Sequence, residues 1–225
     1  MQLPSGLPTA EAIAEQSARI LLEIKAVSFN SREPFTWTSG RKAPTYVDCR
    51  KVISFPRART ALLDFAAATV IRDIGYEALD AIAGGETAGI PYAAWLSDRL
   101  GLPMQYVRKQ PKGFGRMAQI EGVLHEGDRT LLVEDLATDG GSKLKFIEAL
   151  RTAGAKVSDT FVIFHYGIFP KSVTSLAEVG VRLHALTTWR DVLNVARTDG
   201  YFDAETLDHV EKFINDPDGW SAANA

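Results

Sequence analysis

The sequence predicts an α/β protein built on a mainly parallel sheet with helices on both faces. Two observations lead there. From Ala81-Ile82-Ala83 to Arg182–Leu186, short β-favouring apolar runs alternate with longer segments whose apolar residues recur at helical spacing. Two of the strand-to-helix junctions are glycine-rich, at Gly84-Gly85 and Gly140-Gly141, as at the ligand edge of an open sheet.

The 225 residues suit one domain with additions, and 46% hydrophobic with 24% charged residues is ordinary for a globular chain. A formal charge of −3 gives no global reason to expect nucleic acid. Cys49 is the sole cysteine, which excludes an intrachain disulfide and a multi-cysteine zinc site and fits a reducing cytoplasm. There is no charged-then-apolar leader and no apolar run of about 18 residues, so neither secretion nor a membrane is expected.

In chain order, Ile13, Ser17, Ile20, Leu21 and Ile24 share a helical face between Glu11 and Val27, with Glu15, Arg19 and Glu23 elsewhere. Phe35 to Arg50 mixes β-favouring residues with a Ser39-Gly40 break and Pro44, the pattern of a hairpin. A helix follows over Arg57–Ile74, stopped by Gly75. The strand around Ala81–Ala83 leads through Gly84–Gly89 into a helix with Pro91 near its start and Gly101 at its end. Met104–Val107 reads as a strand. After it comes a long loop carrying Arg108, Lys109, Lys112 and Arg116, with Gly113 and Gly115 supplying hinge-like freedom, which reads as a mobile lid. Beyond the strand that begins near Leu131 and the helix over Lys143–Ala153, a strand is expected over Ser158–Phe164, a helix over Lys171–Val179, a strand over Arg182–Leu186, and helices over Trp189–Arg197 and Ala204–Ile214. The tail through Pro217 and Gly219 should fray.

The most informative stretch is Leu131 to Ser142. An apolar run ends in Glu134 and Asp135, and a loop of Thr138, Asp139, Gly140, Gly141 and Ser142 then opens onto a helix over Lys143–Ala153. Unpaired N–H groups at a helix start can hold a phosphate, while carboxylates suit sugar hydroxyls or a metal. The ligand read from this pattern has a phosphate and a diol. An ordinary turn with Asp135 or Thr138 capping the helix would share the pattern.

This order of residues resembles the ribose-phosphate signature of the type I phosphoribosyltransferases, which use phosphoribosyl pyrophosphate (PRPP). The resemblance implies that Glu134 and Asp135 bond the ribose hydroxyls and that Thr138–Ser142 wrap the 5-phosphate, with the Asp139 side chain turned away. It implies that Gly85, Glu86, Thr87 and Ala88 contact pyrophosphate. The segment Ser39-Gly40-Arg41-Lys42-Ala43-Pro44-Thr45-Tyr46 is similar to the hood signature of the orotate phosphoribosyltransferases. That implies Ser39, Gly40, Arg41, Lys42 and Tyr46 near the base, joined by Thr138 and Tyr166. Arg108, Lys109 and Lys112 match the cations of that family's catalytic loop, with Asp135 as a further catalytic residue.

The implied reaction joins orotate to PRPP with release of pyrophosphate, in pyrimidine synthesis. The implied cofactor is Mg²⁺ held mainly by substrate and water, not by direct protein ligation, with Glu134 and Asp135 nearby. A homodimer sharing the basic loop is also implied. The core would span about residues 57–187, and the hood would come from about 1–56 plus the C-terminal helices. Four positions depart from the common pattern: Thr38 and Ala88 replace lysines, Phe114 replaces a histidine, and Tyr166 stands where many members have an arginine. A transferase for another base, such as a purine, and a non-catalytic PRPP-binding regulator therefore stay open. His165, at a strand end, reads as a hydrogen-bonded structural residue or a proton carrier.

Overall fold

The structure, a computed structural model, describes residues 6–37, 39–115, 117–138 and 141–224. Thr38, Arg116, Asp139 and Gly140 lie outside the described residues, so the expectations for Asp139 and Gly140 concern positions beyond it.

Helix α1 (Ala10–Glu23) is capped by the Thr9 hydroxyl and buries Ile13, Ala18, Leu21 and Leu22. It stops short of the expected Val27. Lys25 takes a left-handed φ of 54°, the chain turns, and Val27 begins strand β1 (Val27–Phe29). The expected single hairpin is two pairings. Strand β2 (Phe35–Thr36) pairs antiparallel with β3 (Lys42–Ala43), and after Pro44 the chain leaves to pair β4 (Thr45–Val47) with β1. Proline cannot donate to a ladder, so it divides the two. A 3₁₀ helix over Cys49–Ser54 follows. Helix α2 (Pro56–Asp73) then begins with Pro56, whose missing N–H costs nothing in a first turn.

The remaining chain alternates as the sequence predicts, apart from β7, which falls in the expected long loop: β5 (Ala81–Gly85), α3 (Gly89–Leu100), β6 (Met104–Val107), β7 (Ile120–Glu121), β8 (Arg129–Ala137), α4 (Gly141–Ala153), β9 (Lys156–His165), α5 (Lys171–Glu178), β10 (Arg182–Thr188), α6 (Trp189–Thr198) and α7 (Ala204–Asn215). The main sheet has the order β10-β9-β8-β5-β6-β7, parallel except for β7 at the edge. From β5 the chain moves one way to β6, and from β8 it moves the other way to β9 and β10. The order reverses between β5 and β8, where an open α/β sheet leaves a crevice at its carboxyl edge.

Both faces of the sheet are covered. Leu131 and Val133 of β8 join one buried cluster with α1, α2, α3, α6 and α7, whereas Leu132, between them, joins a second with Phe146, Ile147 and Leu150 of α4 and Leu176 of α5. Strand alternation produces this split. Trp189 is wholly buried against Phe164 and Tyr166, as core packing requires; Tyr201 is instead 37% exposed.

The expected frayed tail is a helix, α8 (Pro217–Ala223). Asp216 caps it, Ser221 donates to the Lys42 carbonyl at 2.7 Å, and Trp220 packs edge-on to Phe213 beside Ala43. The end of the chain thereby supports the β2–β3 hairpin. Trp220→Ala is expected to cost about 3–5 kcal/mol in denaturant unfolding; an unchanged midpoint would mean that the tail frays after all.

Candidate functional site

The crevice between β5 and β8 is set by glycines. A Cβ on Gly85 would overlap Glu134 Oε1, and one on Gly89 would overlap the carbonyl of Val133. Only bare backbone lets the start of α3 and the end of β5 lie this close to the acid-bearing strand. The Glu86–Thr87 peptide between them is cis. The Glu86 N–H donates to the Val107 carbonyl at 2.9 Å, and a Glu86 carboxylate oxygen accepts from the Lys109 N–H at 2.7 Å. Glu86 thus ties the glycine loop to the root of the basic loop.

Glu134 and Asp135 are adjacent, so the pleat sends them to opposite faces. Glu134 lies on the α4 side with Gly85 and Phe146. Asp135 feels Arg50 and bonds the Leu136 N–H at 2.9 Å. Burial pushes the Glu134 carboxyl up to about 7, opposed by the Lys143 ammonium, and one of its oxygens is buried without a hydrogen-bond partner among the described residues. Asp135 is also raised, first by burial, again with Lys143 opposing. Lys143 is 2% exposed and donates to the Leu136 carbonyl at 2.6 Å, which places a cation beneath the acid pair.

A cavity of about 910 Å³ opens above this floor. Its walls include Glu86, Thr87 and Ala88 of the glycine loop, Lys109 and Gln110 of the basic loop, Glu134, and Gly141 and Ser142 at the start of α4. A second cavity, of about 470 Å³, lies under the hairpin between Trp37, Ser39, Arg41, Tyr46, Thr138, Tyr166 and Phe169. Arg41 pairs with Asp218 of α8 at 2.6 Å and lies 5.0 Å from the Phe169 ring centre. Trp37 donates its indole N–H to the Thr45 carbonyl at 2.8 Å and stacks edge-on to Tyr166.

The expected residues therefore divide. Glu86, Thr87, Ala88, Lys109, Glu134, Gly141 and Ser142 line the larger cavity; Ser39, Arg41, Tyr46, Thr138 and Tyr166 line the smaller. Gly85 lies beneath the floor, against Glu134. Gly40, Lys42, Arg108, Lys112 and Asp135 line neither cavity. Arg108 is turned back to Glu121 at 3.4 Å by the β6–β7 pairing, and the Lys112 N–H bonds the Ala118 carbonyl within the loop. His165 bonds the Ser172 hydroxyl at 2.8 Å, and burial lowers its pKa, as the structural reading of that residue expects.

Sequence reasoning missed Arg50, Lys145, Gln119, Trp37 and Phe169 among the lining residues. Arg50 stands four residues beyond the hood signature and Lys145 faces the cavity two residues beyond Lys143; local signals existed for these two. Phe169 comes from a distant loop and carried none.

Comparison with known proteins identifies the family. The Phosphoribosyl transferase domain family model matches residues 56–170. A Ruegeria protein named orotate phosphoribosyltransferase is 60% identical over 222 residues, covering 99% of this chain and 98% of its own length. The crystal structure of orotate phosphoribosyltransferase from Aeropyrum pernix superposes with a TM-score of 0.69 at 32% identity, covering 83% of this chain and 99% of that one. The structure of Leishmania donovani UMP synthase gives 0.76 at 26% identity over 91% of this chain, which spans 42% of that longer protein. On the match to the family model and the near-full-length identity, this chain belongs to the orotate phosphoribosyltransferases, a branch of the type I phosphoribosyltransferases.

Proposed function

We propose that the protein transfers the phosphoribosyl group of PRPP to orotate, giving orotidine 5-monophosphate and pyrophosphate in pyrimidine synthesis. The observation that carries this is a pair of cavities meeting at the end of β8. One is floored by a carboxylate and walled by a helix start and a lysine; the other is aromatic, with an arginine.

The larger cavity suits PRPP. Backbone donors at Gly141 and Ser142, where α4 begins, suit the 5-phosphate, Glu134 suits the ribose hydroxyls with Asp135 behind it on the other face of β8, and the Glu86–Ala88 loop with Lys109 suits pyrophosphate. The smaller cavity suits a flat anionic pyrimidine, with Arg41 as partner for its carboxylate in place of the arginine that Tyr166 replaces. In the transfer, the N1 lone pair of orotate forms a bond to the anomeric carbon as the carbon–oxygen bond to pyrophosphate breaks. That bond's electron pair leaves with pyrophosphate, which also takes up the N1 proton. Positioning the two reactants and stabilising the leaving charge supply the rate, with no protein nucleophile.

Glu134, one of whose oxygens has no partner among the described residues, fits a site for Mg²⁺ held largely by substrate oxygens and water. When bound, that ion neutralises charge on pyrophosphate. The basic loop, with Lys112 and a fully exposed Phe114, suits a lid that reaches into the site of a second copy in a homodimer. A cytoplasmic location fits the lone, buried, unpaired Cys49.

A base panel with PRPP and magnesium, followed by pyrophosphate release, tests the reading. Release with orotate alone is expected; release with a purine would reassign the base, and PRPP binding without turnover would make the protein a regulator. Lys112→Ala should lower kcat about 100-fold or more while PRPP affinity changes little, and an unchanged rate would remove it from catalysis. Sedimentation at the enzyme's working concentration should give a dimer; a fully active monomer would rule out a shared loop.

The protonation of Glu134 gives a separate expectation. Its folded pKa, about 7, exceeds the ordinary 4.5, so between those values the native state holds more proton than the unfolded chain. Stability of the ligand-free protein from this group is then present at pH 4.5 and lost as pH rises through 7. Glu134→Gln should remove a pH 5 to pH 8 loss of up to about 3 kcal/mol in urea unfolding. Parallel stability curves for the two proteins would contradict the assignment.

A further inference from the structure

Among the described residues, Arg50 alone lines both cavities. Its position in the 3₁₀ helix is fixed from several directions. Cys49 and Val52 beside it are wholly buried, and Tyr92 of α3 donates its hydroxyl to the Cys49 carbonyl at 2.6 Å. Asp48 Oδ1 accepts from both the Arg50 backbone N–H, at 3.2 Å, and its Nε, at 2.8 Å. With Nε engaged, the two terminal nitrogens remain, and among the described residues they make no hydrogen bond. The side chain is 61% exposed, so this end of the guanidinium reaches open space. Asp135, at the end of β8, lies within its electrostatic reach.

Bonds are made and broken where donor and acceptor sites meet, and a planar, permanently charged fork at that junction can bond two partners at once. We propose that Arg50 is a catalytic residue of the transfer, holding the departing pyrophosphate with one terminal nitrogen and a carbonyl oxygen of the pyrimidine with the other, and that Asp48 positions it. This rests on the function proposed above. Arg50 moves no proton. As the carbon–oxygen bond breaks, its electron pair settles on pyrophosphate oxygens that face the guanidinium, and the same group holds the base nitrogen in line with the anomeric carbon. Negative charge on pyrophosphate grows along this coordinate, so the contact strengthens toward the transition state and acts chiefly on kcat.

The test compares wild-type protein with Arg50→Ala, Arg50→Lys, Asp48→Asn and the Asp48→Asn/Arg50→Ala double variant in orotate consumption, with thermal melting of each. Arg50→Ala is expected to lose about 100-fold or more in kcat, with both KM values changing far less. Arg50→Lys should still lose about tenfold, because one ammonium cannot replace the fork. Asp48→Asn should be slower than wild type, and the double variant no slower than Arg50→Ala, since Asp48 acts only through Arg50. If wild type turns over orotate but Arg50→Lys keeps a near-wild-type kcat, the role of Arg50 is overturned and the function stands, and losses that multiply would overturn the positioning by Asp48. Failure of wild type to use orotate would overturn both.

Discussion

The close approach of the β5 glycine loop to Glu134 is the constraint on which the rest of the site depends. Side chains at Gly85 or Gly89 would occupy the space that the carboxylate and the β8 backbone fill. With bare backbone there, α3 starts directly beside the acid-bearing strand, and the sheet's reversal of order becomes a crevice instead of a packed seam. The glycine loop then meets the basic loop through the Glu86 carboxylate on the Lys109 N–H, so the two loops of the larger cavity are held to one another.

Electrostatics completes the floor. Burial strips hydration from both carboxylates and raises the pKa of each, Glu134 further through repulsion from Asp135, and the buried Lys143 ammonium offsets part of that cost. One Glu134 oxygen stays buried without a hydrogen-bond partner among the described residues, whereas Asp135 accepts from the Leu136 N–H. The smaller cavity uses different physics: aromatic walls, and an arginine held by Asp218 and Phe169.

The hairpin bearing Arg41 depends on the far end of the chain. Lys42 bonds Ser221, Ala43 packs against Phe213 and Trp220, and Arg41 meets Asp218, so α8 is part of the support for the smaller cavity. A tail rich in Pro, Gly and small residues reads locally as loose, and its order comes from contacts made about 180 residues away in sequence.

The sequence alone determined the alternation of strands and helices, the order of the ligand loops, and the residue types at the strand ends, because periodicity, glycine and proline act over short range. The acid pair, the glycine loop and the hood signature were therefore legible with their chemistry. Tertiary structure decided which of those residues share a cavity. Pleating separates Glu134 from Asp135, the β6–β7 ladder turns Arg108 back toward Glu121, and the burial of Cys49 and Val52 carries Arg50 to the junction of both cavities. Each of these outcomes depends on packing between elements distant in the chain, which no local pattern encodes.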